Sequence, residues 1–417
     1  MKAIILNSTG GVSLTSDGWT TSVLKGCYAS TVTAHFLDGQ WKLNQMVLCV
    51  TDLAKRHTAD NIVAHWDSVM KGWDLQNITS ITTDGAKDYT KAARAFCKLS
   101  LWCCCHRLHL ISSKLFDHSQ ILKNLFTTCK NIVTIWNHSV NFQRDLSNIS
   151  KVSLKTSNPV RWNSAVKMME RIATNRQALE KLQQKYSLSL FVEQDWVLLE
   201  LIIKKLSAIV ITSKFLEETH TPTVQRVFPL MLQIQIEFDK GTEPLLTDLC
   251  IKLKELIAEY FKISTISKTK FSQCSLFITA TFLDPRTKSF LFIACDEQRA
   301  YYLQKVQQHI TKEITELKLA ERVTARKRSK NDKQKEAYLF LSEIYHSTET
   351  GTDVHRYVQM PACVDDEQFS LLDWWSKRHS EYPILSPGLV VIQLVILCRK
   401  TRNYNYQIYV ILITKIT

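Results

Sequence analysis

The chain has 417 residues, 45% hydrophobic and 22% charged, a balance that excludes wholesale disorder and predicts two or more folded units. Lysine and arginine outnumber aspartate and glutamate by 53 to 39, and the resulting charge of +14 suits a polyanionic partner without locating a site. The twelve cysteines contain no CxxC pair, which excludes a zinc ribbon or thioredoxin-type motif and predicts reduced, mostly buried thiols of an intracellular protein.

The opening "MKAIILNSTG" has an apolar run too short for a secretory signal. In "SLTSDGWTT" (13–21), Val12, Leu14 and Ser16 point one way and Ser13, Thr15 and Asp17 the other, so a strand is predicted to end at Asp17, with Gly18 turning the chain. A carboxylate so placed is either a turn residue bonded to its own backbone or a metal-binding or catalytic group. "YASTVTAHF" (28–36) predicts a second strand, Asp38-Gly39 a hairpin turn, and "WKLNQMVLCV" (41–50) a returning third strand. Ile62, Val63, Trp66, Val69, Met70 and Trp73 recur at helical spacing. "ITSITTDGA" (78–86) is a fourth strand ending on a second Asp-Gly pair, Asp84-Gly85, and a short helix follows over about 87–97.

That order is a mixed sheet with helical crossovers. A right-handed crossover lays the first and fourth strands side by side, so Asp17 and Asp84 are expected to face each other at adjacent strand ends. Two carboxylates there can bridge divalent ions about 4 Å apart, as in two-metal phosphoryl-transfer sites. The repeated Thr-[Ser/Thr]-Asp-Gly favours this over a pair of turn residues.

From about 115 to 345 the pattern is helical. "DWVLLELIIKKLSAIVITSKFLEE" (195–218) is apolar nearly all round and predicts a buried helix. In "YYLQKVQQHITKEITELKL" (301–319), Leu303, Val306, Ile310, Ile314 and Leu317 make one stripe. "ERVTARKRSKNDKQKE" (321–336) has no apolar period, and its Arg326-Lys327-Arg328 cluster reads as a solvated linker or a nuclear-import signal. The apolar runs at 389–397 and 409–414 fall short of the ~20 residues of a membrane helix, so no membrane partner is expected; they read as strands or as a tail that does not fold.

"LTSDGWTT", "YASTVTAHFLDGQWKL", "RHTADNI", "TTDGA" and "CCCHRLHL" resemble, in this order, the hAT superfamily of transposases, and most of all its BED-finger descendants. "NPVRWNSAVKMMER" (158–171), "ATFLDPRTK" (280–288) and "LLDWWSKRHSEYPILS" (371–386) continue the likeness. The resemblance implies an α/β fold: an RNase H-like mixed sheet interrupted by a large all-α insertion, with a truncated C-terminal dimerisation segment. It divides the chain into the first part of the catalytic core (1–115), the helical insertion (116–320), a basic linker (321–345), a partial dimerisation segment (346–387) and a divergent apolar tail (388–417).

It also implies roles. Asp17 and Asp84 match the first two acids of the family's Asp-Asp-Glu triad and would bind Mg2+ or Mn2+. Cys103 and His106 match a Cys-x-x-His motif that handles the cleaved DNA end, and Arg161-Trp162 match a motif whose aromatic ring stacks on an extruded base. Trp374, Trp375 and Tyr382 fall in the dimerisation segment. Cys103, His106 and His109 have no second ligand pair nearby in sequence, so no structural zinc is expected. The sequence lacks the family's BED finger upstream and its Ser-Glu-Arg segment downstream, and no acid follows Glu381.

A nuclear, transposase-derived protein is therefore expected, with weak and mostly non-specific DNA binding, a weakened homodimer and no strand transfer. The alternatives are an active endonuclease that recruits Asp365, Asp366, Glu367 or Asp373, and an inert truncated fragment.

Overall fold

A computed structural model describes residues 2–386 apart from residues 7, 21–27, 54–56, 98, 158–161, 242–243, 265–269, 329–352, 365–367 and 384. Arg161, the acids at 365–367 and the apolar tail lie outside the described residues. The fold is mixed α/β, mostly helical, with one five-stranded sheet. Two compact units divide it: Met1–Cys104, Leu216–Pro229 and Lys270–Thr417 make the first, Cys105–Phe215 and Leu230–Thr269 the second.

The first unit opens with helix α1 (Lys2–Leu6), then strands β1 (Thr9–Thr20), β2 (Tyr28–Leu37) and β3 (Leu43–Asp52). Helix α2 (Ala59–Trp73), strand β4 (Ile78–Thr83), helix α3 (Lys87–Phe96) and strand β5 (Ser100–Trp102) follow. The sheet order is β3-β2-β1-β4-β5, with β1 antiparallel to β2 and parallel to β4. The first and fourth strands thus lie side by side, as the crossover argument predicts.

The end of β1 differs from expectation. The strand passes through Asp17 and Gly18 to Thr20, paired Asp17↔Thr31, Gly18↔Ser30 and Thr20↔Tyr28. The physical reason is close packing rather than a turn: a β-carbon on Gly18 would sit 2.4 Å from the hydroxyls of both Tyr28 and Tyr89. Gly18 is a gap in the side-chain row that two tyrosines fill.

Alternation sorts the sheet into two faces. Leu14, Val32, Ala34, Phe36 and Ile81 pack with Ile62, Trp66 and Met70 of α2 and Ala92 of α3. Trp66 is fully buried, and its indole N–H donates to Ser16 Oγ (3.1 Å), which donates to the Thr31 carbonyl (3.0 Å). Its polar tip is thereby satisfied, so the ring's large apolar area is buried without an unpaired donor. The other face is buried and polar: Ser80 donates to Ser13 Oγ (2.7 Å), and Thr15 Oγ1 bonds His35 Nε2 (3.0 Å). Thr58 caps α2, its hydroxyl accepting from the Asn61 N–H at 3.4 Å, and Asp74 in the left-handed region ends it.

Helices α4 (Cys104–His118), α5 (Gln120–His138), α6 (Val140–Ile149), α7 (Trp162–Thr174) and α8 (Arg176–Tyr186) follow in chain order. Next come α9 (Glu193–Leu216), α10 (Val227–Asp239) and α11 (Thr247–Phe261). Helix α9 is not buried all round: Val197, Ile211 and Phe215 are 51%, 51% and 47% exposed. Their offsets of 14 and 18 residues put them on one line of the helix, an outward row that composition does not mark. Lys205 is buried instead, its ammonium donating to the carbonyls of Phe238 (2.7 Å) and Lys240 (3.2 Å).

Helices α12 (Phe271–Phe282), α13 (Asp296–Arg328), α14 (353–359) and α15 (Leu371–Arg378) belong with the sheet in the first unit. The helical stretch 116–320 is therefore no single insertion, because 216–229 and everything from 270 return to the first unit. The expected linker is also partly helix, since α13 continues to Arg328.

"ATFLDPRTK" is the post around which α14 and α15 pack. Lys288 is buried and its ammonium donates to the carbonyls of Tyr357, Met360 and Val358. Tyr357 Oη donates to the Phe282 carbonyl and Trp375 Nε1 to the Leu283 carbonyl, both at 3.0 Å. Trp374, Trp375 and Tyr382, read from sequence as dimerisation aromatics, are 9%, 0% and 6% exposed. Their rings pack on one another and on Tyr357, so the chain itself covers them.

Candidate functional site

The site begins with strand register. Thr15↔Thr82 is the last pair of the parallel β1–β4 ladder, and Asp17 and Asp84 each lie two residues beyond it. Equal offsets put both on the same side of the sheet. Cys103 follows β5, its N–H donating to the Thr83 carbonyl at 2.8 Å. Asp17, just past the parallel pairing of β1, thus stands beside Asp84 and Cys103 at the C-terminal ends of β4 and β5, the side of the sheet where open α/β sheets bind their ligands.

The Asp84 turn is closely held. Its Oδ1 accepts from the Ala86 N–H at 2.9 Å, an Asx turn leading into α3. The turn reading therefore holds for one of its oxygens. Gly85 has φ +90°, and the Trp102 indole lies where a side chain would go, with Nε1 1.8 Å from an added β-carbon. That same N–H donates to the Asp84 carbonyl at 2.6 Å.

Around Gly18 the Tyr28 and Tyr89 hydroxyls are hydrogen-bonded to each other. Burial pushes the Tyr28 hydroxyl above its ordinary range, and the charges of Asp84 and Asp17 push it further, against the bond from Tyr89. Burial raises Tyr89 more strongly; its bond to Ser30 Oγ (3.3 Å) opposes this, and Asp17 adds to it. Both carboxylates therefore act on one hydroxyl pair. The His57 ring, exposed, lies 3.6 Å from the Tyr28 ring centroid. Trp102, Tyr28 and Tyr89 carry no mark of their own in the sequence. The signals are the glycines of Asp17-Gly18 and Asp84-Gly85, whose β-carbon positions these rings approach.

Asp17 and Asp84 are half-buried, and carboxylate oxygens are hard donors of the kind Mg2+ and Mn2+ prefer. The donor set fits such an ion. Among the described residues no group of three His, Cys, Asp or Glu is placed to hold a metal.

His106 and Trp162 stand on helices of the second unit. His106, half-buried on the first turn of α4, is part of the second unit, its ring centroid 6.1 Å from that of His109. Burial, and then His106, lowers the His109 pKa. Trp162 is the first residue of α7 and only 8% exposed.

Residues 15–103, which include Asp17, Asp84 and Cys103, match the ZBED1 RNase-like domain. Residues 353–395 match the hAT family C-terminal dimerisation region. A Zea mays protein named as an AC transposase is 20% identical over 90% of this chain and 50% of its own length. The Drosophila melanogaster transposable element Hobo transposase is 27% identical over 42% of this chain and 26% of its own. The zinc finger BED domain-containing protein RICESLEEPER 2 of Oryza sativa subsp. japonica is 20% identical over 90% and 58%. The chain thus spans from about a quarter to somewhat over half the length of these relatives.

Proposed function

Starting from a chain related to hAT-type transposases, we propose a transposase-derived, nucleic-acid-associated protein. Its first unit is an RNase H-like domain whose metal-binding groups are Asp17 and Asp84. One observation carries the reading: both carboxylates lie two residues past the last pair of adjacent parallel strands. The sheet order and the match over 15–103 support the RNase H-like assignment.

Asp17 and Asp84 would hold Mg2+ or Mn2+, which supplies Lewis-acid polarisation of a phosphoryl oxygen. This chain's own contribution is preorganisation. The Asx turn and Trp102 fix Asp84, while the long β1–β2 ladder fixes Asp17.

Asp17 and Asp84 by themselves hold an ion without strand transfer in this reading, because a two-metal clamp needs more than a carboxylate pair. The chain's charge of +14 draws it to DNA weakly and without sequence preference, in the nucleus. The dimerisation-region match supports a homodimer, whose pairing surface lies outside Trp374, Trp375 and Tyr382 because these are buried.

Titration calorimetry with Mn2+, alongside incubation with supercoiled plasmid, tests this. Ion binding lost in Asp17→Asn and in Asp84→Asn, with plasmid intact, is expected. Absence of binding overturns the carboxylate site, and Mn2+-dependent nicking that is lost in Asp17→Asn makes the chain an active nuclease.

A further inference from the structure

Helix α5 of the second unit presents a face with no counter-charge. Residues 118–169 contain seven lysines and arginines and a single acid, Asp145. That acid is already paired, accepting from Lys185 Nζ (2.5 Å) and Tyr186 Oη (2.6 Å). Other basic side chains of the unit have acids beside them: Lys114 pairs with Glu259, Lys240 with Glu237 and Lys252 with Glu255. Among the described residues, Lys123, Lys130, Lys151, Lys155 and Lys167 form no ion pair, and all five are exposed.

The geometry of α5 concentrates this difference. Leu122, Leu125, Cys129, Ile132 and Val133 are its buried stripe. Opposite them stand Lys123, Thr127, Lys130, Asn131 and Thr134, all exposed, and α5 contains no acid. Lys123 and Lys130 are two turns apart, about 10.5 Å along the axis, which spans about three phosphate steps of one DNA strand. A membrane-binding helix would need an outward apolar face, and here the exposed side chains are Gln, Lys, Asn, Thr and His.

We propose that the outward face of α5, centred on Lys123 and Lys130, is a phosphate-backbone docking surface for duplex DNA. It rests on the nucleic-acid reading above, and it belongs to the second unit, whereas Asp17 and Asp84 belong to the first. It fixes where the chain touches DNA without reading bases, since lysine ammoniums on a regular helix face meet phosphates rather than base edges.

The experiment measures binding of the full chain to two unrelated 30-bp duplexes across a salt series, for the unsubstituted chain, the double variant Lys123→Gln/Lys130→Gln and the control Lys240→Gln/Lys252→Gln. Each phosphate contact contributes about 0.9 to the slope of log affinity against log salt, so the α5 variant should flatten it by about 2 on both duplexes. The control, whose lysines sit beside acids, should leave it unchanged. Circular dichroism checks that every variant keeps its helices. Binding by the unsubstituted chain with an unchanged slope in the α5 variant overturns the face alone. No binding by the unsubstituted chain overturns the nucleic-acid reading and the face with it.

Discussion

Trp102 donates its indole N–H to the carbonyl oxygen of Asp84 at 2.6 Å, and the ring roofs the turn that sets this carboxylate. The roof requires glycine beneath it. Gly85→Ala would place a β-carbon 1.8 Å from Trp102 Nε1 at φ +90°. Left-handed backbone costs a non-glycine residue about 1–2 kcal/mol, and moving the indole breaks its bond as well. Gly85→Ala should therefore lose about 3 kcal/mol in denaturant unfolding. Gly39→Ala, where an added β-carbon meets nothing within 4 Å, should lose far less.

The C-terminal helices should depend on Lys288 as much as on the aromatics. Replacing a buried charge by an apolar isostere is often harmless, because its desolvation cost disappears. Here the lysine is the donor for three carbonyls at the end of α14, which Lys288→Met leaves unsatisfied in the interior. A loss of about 2 kcal/mol and faster proteolysis of the segment carrying α14 and α15 are expected. Trp375→Ala, at a fully buried ring, should cost about 3–5 kcal/mol and lower the melting temperature at every protein concentration. A variant that only changed the oligomeric state would restore the interface role read from sequence.

Alkaline conditions should weaken the first unit. The Tyr89 hydroxyl has its pKa raised in the folded state, chiefly by burial, so the folded chain prefers the neutral form. Its stabilising contribution is complete below the ordinary tyrosine value near 10 and is lost as pH rises toward the folded value. Burial also pushes the Cys274 thiol up to about 12, which starts the decline from about pH 9. Chemical denaturation between about pH 8 and 11 should show a falling midpoint, and Tyr89→Phe should flatten its upper part. An unchanged slope in that variant would show that Tyr89 plays no part in the decline.

The sheet was legible because its signals are local: alternation, an Asp-Gly hairpin turn and one helical period set the order, and crossover handedness then placed β1 beside β4. The expectation that Asp17 and Asp84 form a pair rests on that adjacency. What stayed hidden depended on partners far away in sequence. Gly18 reads as a turn until Tyr28 and Tyr89 are seen above it. Lys204 and Lys205 are adjacent in sequence, yet one is exposed and the other buried, because only Lys205 reaches the end of α10. The aromatics of "LLDWWSKRHSEY" read as an interface because nothing local says that Phe282, Leu283 and Lys288 cover them.

Asp84 itself separates a metal ligand from a turn residue. Its Oδ1 accepts the Ala86 N–H, and asparagine retains an oxygen that can do the same, whereas alanine does not. If Asp84 serves the turn alone, Asp84→Asn is silent and Asp84→Ala loses about 1 kcal/mol, the usual worth of such a bond. If it also binds an ion, the asparagine variant keeps its metal-free melting temperature but loses the response to metal. An ion at about ten times its dissociation constant stabilises the folded state by about 1.4 kcal/mol, about 3–6 °C for a unit of this size. Scanning calorimetry with and without millimolar Mg2+ or Mn2+ should therefore show that rise in the unsubstituted chain. It should be absent in Asp17→Asn and Asp84→Asn, while only Asp84→Ala melts lower without metal. A rise that survives in Asp84→Asn would leave Asp84 as a turn residue and place the ion elsewhere.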